Sequence, residues 1–235
     1  MFNVKRCVCF LVVFIAGFSC LFAQARGQDR ELTVEESFLQ ESIELMIIRE
    51  QSRAEGRDMK LVALGFIGDA ISRGNRSDEI RETLEFLAME GVLNVTRENG
   101  RVTNNFPDVR RQAAIYLGEL GTPEAKNSLL RIVNVDNEPM VISEAIRSLG
   151  LIGINENNAT TSVINWTVNR FHNLNPDNFL ALTALDAFER LAEANGGLRD
   201  LETFRTIARI AEGPYIAPVR ARAMELLSTL MQFDD

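Results

Sequence analysis

Few side chains in this sequence have the chemistry of a catalyst. His172 is the single histidine among 235 residues, so a Ser-His-Asp relay would have to pass through it. It follows Arg170-Phe171 where a helix is expected to end, and a hydrogen-bond donor there has a plain electrostatic reason to exist. A zinc site would need further His or Cys ligands, yet the three cysteines, Cys7, Cys9 and Cys20, all sit at the extreme N-terminus. Calcium-loop spacing and a glycine-rich phosphate cradle are both missing from the sequence. The pairs Glu35-Glu36 and Asp234-Asp235 read as solvated charges at a helix start and a tail. The expectation is no catalytic residue, no metal and no cofactor.

One spacing stands above this background. Arg131, Arg170 and Arg209 recur 39 residues apart, within Leu-Arg-Ile, Asn-Arg-Phe and Ala-Arg-Ile. Guanidiniums at equivalent places in stacked elements form a ladder able to grip carboxylates or phosphates bidentately. Each Arg can equally complement its own helix dipole or pair with a neighbouring carboxylate. A second candidate is Asn99-Gly100, the strongest short signal for a two-residue hairpin turn, set among strand formers between Gly91 and Phe106. Leu93 to Arg97 is expected to pair with Arg101 to Thr103 and to project as a contact finger or a tolerated loop. Trp166 and Tyr116 are isolated and read as packing residues.

Composition narrows the field. With 25 Lys+Arg against 33 Asp+Glu the net charge is -8, so a general nucleic-acid footprint is absent. A hydrophobic content of 46% is ample for a core.

The elements that must carry the Arg row are written as repeats. Pro107, Val109, Ala113, Leu117, Gly118 and Gly121 map onto Pro139, Val141, Ala145, Leu149, Gly150 and Gly153. Leu64-Gly65-Phe66-Ile67-Gly68 repeats the ending, and Ala184, Phe188, Leu191 and then Ala223, Leu227, Leu230 are weaker copies. Taking Gly65, Gly118, Gly150, Glu189 and Ser228 as equivalent, the intervals are 53, 32, 39 and 39, and the long first interval holds the hairpin segment. Apolar residues three and four apart make each copy an amphipathic helix. A second helical stretch follows each of the first four copies, and Thr122-Pro123-Glu124 is a good helix start.

The Asp108-Val109-Arg110 run, with Ala113-Ala114, Leu117-Gly118 and Gly121, resembles HEAT repeats of the short type called phycobilisome lyase HEAT-like. Val141 to Gly153 carries the rest of the likeness, and Glu189 and Ser228 depart from it. The resemblance implies an all-α fold, an α-solenoid of about five stacked helical hairpins with a small β-hairpin inserted near residues 92–104. It implies a binding scaffold for a protein partner; a phycobilin-lyase type of enzyme is the rival by family name alone.

Thr33 to Ala54 reads as a capping helix with Phe38, Leu39, Ile43, Met46 and Ile47 on its buried side. Met46, Met59 and Met89 read as core filler.

The first 25 residues carry an address. Lys5 and Arg6 precede an uncharged run from Cys7 to Phe22, which ends at Ala23-Gln24-Ala25, the small-x-small pattern of a signal peptidase site. The run is shorter than the roughly 20 residues needed to span a bilayer. Residues 1–25 are therefore expected to be a signal peptide, 26–57 a capping segment and 58–235 the repeat domain. The product would be periplasmic or secreted, and not membrane-spanning. Gly17-Phe18-Ser19-Cys20 loosely resembles a lipobox, so an envelope structural protein anchored through lipidated Cys20 is the alternative.

Overall fold

The computed structural model describes residues 33–232, with the backbone alone for Ser37 and Phe38. The signal-site residues Ala23 and Ala25, and Cys20, lie outside the described residues. The chain divides into two units, Met1–Ser42 and Ile43–Asp235, and the boundary runs through the first helix, α1 (Val34–Arg53). In the first unit Thr33 and Glu36 form a reciprocal capping box: the Glu36 N–H donates to Thr33 Oγ1 at 3.2 Å, and the Thr33 N–H donates to Glu36 Oε2 at 3.0 Å.

The second unit is an all-α solenoid. Its first layer holds α2 (Arg57–Ser72), α4 (Pro107–Leu120), α6 (Pro139–Ile152), α8 (Asn178–Asn195) and α10 (Ala217–Met231). The second layer holds α3 (Asp78–Ala88), α5 (Pro123–Val135), α7 (Ala159–Leu174) and α9 (Leu201–Glu212). Each first-layer helix packs on the next, and so does each second-layer helix, so the hairpins share one continuous core. Among the described residues the fifth copy is represented by α10 alone.

Local chemistry accounts for the joints. Gly121 ends α4 in the left-handed conformation (φ 68°), and Thr122 then caps α5, its hydroxyl accepting from the Ala125 N–H at 3.2 Å. The apolar positions that define the repeat are the buried ones: Val109, Ala113 and Leu117, then Val141, Ala145 and Leu149, are fully enclosed.

Close helix approach explains the glycines and corrects the repeat register. A Cβ on Gly118 would lie 2.6 Å from Ser148 Oγ, and one on Gly150 would lie 2.9 Å from the Ala187 Cα. Gly68 makes the matching approach, beneath Tyr116, whereas a Cβ on Gly65 would meet nothing within 4 Å. Gly68, not Gly65, is thus the counterpart of Gly118. Where Glu189 replaces glycine, it reaches across to pair with Arg222 on α10.

The capping-helix face differs from the expectation. Ile43 and Met46 are more than half exposed, and Leu39 and Ile47 are also exposed, while Leu45, Ile48 and Ser52 turn inward. The reason is polar: buried Lys60 donates to the Ser52 carbonyl at 2.9 Å, and Arg73 pairs with Glu44 at 2.6 Å, which fixes the helix rotation. Met89 is core, but Met46 and Met59 are exposed and fill no core.

The inserted hairpin is shorter than its sequence suggests. β1 (Arg97–Glu98) pairs antiparallel with β2 (Arg101–Val102), and Asn99 and Gly100 supply the two positive φ values of the turn. Leu93 is outside the ladder because Leu93 and Asn94 turn back to donate to the Met89 carbonyl. Beyond Thr96, the side chain of Asn104 takes over, accepting from the Thr96 N–H at 2.8 Å.

Candidate functional site

The three arginines of the 39-residue row occupy corresponding places on α5, α7 and α9, which are neighbours in the second layer. Arg131 is exposed, with no ion pair or hydrogen bond among the described residues. Arg170 is half-buried; its guanidinium lies 4.9 Å from the Trp166 ring and 5.1 Å from the Phe171 ring, and donates weakly to the Asp136 carbonyl at 3.4 Å. Arg209 donates to Asn169 Oδ1 on the preceding second-layer helix. Among the described residues none of the three is in an ion pair with a carboxylate, so no close carboxylate offsets the charge of the row. Two of them also tie one repeat to the next.

Trp166 is the surprise of this face. It is 51% exposed, not a packing residue, and Arg170 covers it as a cation–π partner. The buried side of α7 is largely polar: Thr160, Thr161, Asn165 and Thr167 are enclosed with Ile164 and Val168, and the tryptophan points out. Asn165 donates to Thr203 at 2.9 Å and to Asp200 at 3.2 Å, so polar side chains knit α7 to α9 and leave the outer face to larger groups. Tyr116 does pack, with its ring over Gly68, and burial pushes its phenol above the ordinary tyrosine range.

Of the other sequence candidates, His172 shares α7 with Arg170, two residues further on. His172 Nδ1 is 3.3 Å from the Tyr215 hydroxyl, with ring centroids 5.8 Å apart, so its contact is with an aromatic side chain that helps close α7 on the last turn of the array. Burial, and then the Asp177 carboxylate, raise the Tyr215 phenol. Asn99 and Gly100 sit at the exposed tip of the insertion. Among the described residues there is no group of three or more His, Cys, Asp or Glu placed to hold a metal, and no helix long and apolar enough to cross a membrane.

Sequence reasoning missed the largest polar feature. Lys60 and Arg110 are 2% and 1% exposed, at equivalent places on α2 and α4. Arg110 grips Asp136 with two bonds (2.6 and 3.2 Å) and also donates to the Glu90 carbonyl at 3.1 Å and to Asn105 at 2.8 Å. Lys60 approaches Glu90 at 3.3 Å, and Asn104 donates to the other Glu90 oxygen at 2.8 Å. Each pair clasps a first helix to the end of the second helix in its own repeat. A charged residue on the apolar stripe, at the same place in two copies, was the available signal. Above the Lys60 pair a cleft of about 610 Å³ opens beside the hairpin, walled by Arg53, Glu55, Phe86, Val95 and Glu98.

No curated protein matches this chain significantly. Residues 99–164, which run from the hairpin turn through α4, α5 and α6 into α7, match the family model described as HEAT repeats, and this supports the HEAT repeat family for the helical array.

Proposed function

We propose that this chain is an exported, non-catalytic scaffold that holds a protein partner on the face made by its second-layer helices. HEAT repeats suggest a helical scaffold of the kind commonly used for protein interaction. The observation that carries the choice of face is Trp166, half-exposed and stacked by Arg170, because Trp and Arg are the side chains that most often anchor a protein interface. Export rests on Lys5, Arg6, the apolar run and Ala23-Gln24-Ala25. The likeness to the phycobilisome lyase HEAT-like type belongs to this proposal as architecture and brings no lyase chemistry with it.

The test is chemical crosslinking in the native cells followed by mass spectrometry, with wild type beside an Arg131/Arg170/Arg209→Ala triple variant. A discrete partner captured by wild type and lost from a still-folded variant supports the scaffold and its face. Capture of nothing by either chain overturns it. Sequencing the N-terminus of the mature protein tests export, with Arg26 expected first. A Cys20→Ala chain that leaves the membrane fraction would instead favour the lipid-anchored alternative.

A further inference from the structure

We infer that the second-layer face is built for an acidic, extended segment of the partner, laid across α5, α7 and α9 with its carboxylates on the arginine row and an apolar side chain on Trp166. This inference rests on the scaffold reading and adds the chemistry of what is bound.

Charge is the first argument. The molecule carries a net charge of -8, yet α7 has no acidic side chain at all. The carboxylates on the three helices are Glu124 in the first turn of α5, and Glu202 and Glu212 at the two ends of α9. Glu202 is already engaged by Arg205 at 3.5 Å. Among the described residues Arg131, Arg170 and Arg209 hold no carboxylate, while Arg57, Arg81, Arg110 and Arg222 elsewhere each do. A local cationic row in an acidic protein is complementary to a short anionic segment. A long polyanion would meet the repulsion of the whole molecule.

Spacing is the second argument. Packed helices lie about 8–10 Å apart, and a polyproline-II chain advances about 3.1 Å per residue and returns to the same face every third residue, so successive arginines match every third residue of a segment extended in that conformation. Arg170 stands in the middle of the row with one face against Trp166, which leaves its edge donors for a carboxylate and the exposed indole for an apolar neighbour.

The site carries its own probe, because Trp166 is the only tryptophan in the chain. Indole emission of the full-length mature protein is titrated with a blocked heptapeptide carrying glutamates at its first, fourth and seventh positions and leucines between. Saturable change in emission is expected, weakened about tenfold by Arg131→Ala, which removes an exposed guanidinium without a structural partner. The same peptide with glutamines should bind at least about tenfold more weakly, and with lysines not at all. Raising salt from 0.05 to 0.5 M should weaken the glutamate peptide, as screening requires. Equal binding of the glutamine and glutamate peptides overturns the inference, as does an unaffected Arg131→Ala chain. Tighter binding of an oligonucleotide or of polyphosphate overturns it in favour of a phosphate ligand. If the peptide leaves Trp166 unmoved while crosslinking still captures a partner through the arginine row, the scaffold stands and the acidic-segment assignment falls.

Discussion

Replacing Arg110 with Met should cost more stability than any surface change in the molecule. The side chain is 1% exposed and makes four hydrogen bonds, two of them to Asp136. Met restores most of the apolar stem, so the loss isolates the guanidinium. Removing one partner of a buried pair strands the other charge and costs about 3–5 kcal/mol. Asp136 would keep two donors, the N–H groups of Asn137 and Glu138 at 2.8 and 3.0 Å, which places the expectation near the lower end of that range. For an array of this size about 3 kcal/mol corresponds to a fall of roughly 6–12 °C in Tm. Urea and thermal unfolding, followed by far-UV circular dichroism, measure it. The Arg110→Met/Asp136→Leu double variant removes the stranded charge but leaves those two N–H groups unpaired, at about 1 kcal/mol each. It should therefore lie between wild type and the single variant. A single-variant loss below about 1 kcal/mol, or a double variant at the sum of two independent losses, refutes the clasp.

Other consequences are smaller and equally specific. Gly150→Ala should destabilise by about 1–3 kcal/mol, because the new methyl meets the backbone of Ala187, whereas Gly65→Ala, with open space around it, should stabilise by up to about 1 kcal/mol in the same melts. Both tyrosines of the chain have raised phenol pKa values, so the native phenolate absorbance should titrate above the midpoint seen in urea. The sign follows from linkage: their contribution is complete below about pH 10 and is lost as pH rises toward the folded pKa, so stability should fall on the alkaline side. Asn104→Ala removes the side chain that joins the hairpin to Glu90 and Thr96, and amide exchange should rise in 93–103 with little change in α4 to α10.

How much of this was legible in the residues depended on whether apolar spacing or buried polarity decided the matter. Val109, Ala113 and Leu117 and their counterparts announced the first-layer helices, because burial and the apolar pattern coincide there. The Arg row was visible as a spacing, and its freedom from carboxylate partners was not, since partners come from other repeats. Three features misled. Leu64-Gly65 copies a repeat ending, but contact across the helices is made at Gly68. The α1 stripe of Ile43, Met46 and Ile47 looks like a core face, yet Lys60 and Ser52 turn the helix the other way. In α7 threonines and an asparagine share the buried side with Ile164 and Val168, so a reading by hydrophobicity puts Trp166 inside. Arg110 was legible only as part of the repeat motif and Lys60 not at all, because the role of a charge within an apolar stripe shows only when its partner is known.

The central claim is that a protein partner is held on the second-layer face. A photo-crosslinking residue placed at Asn127 on α5 or Ser162 on α7, both exposed beside the row, tests it directly against one placed at exposed Glu119 on the first-layer helix α4. The account predicts that the same partner is captured from the first two positions and not from the third. Capture from Glu119 alone, or equally from all three, contradicts it.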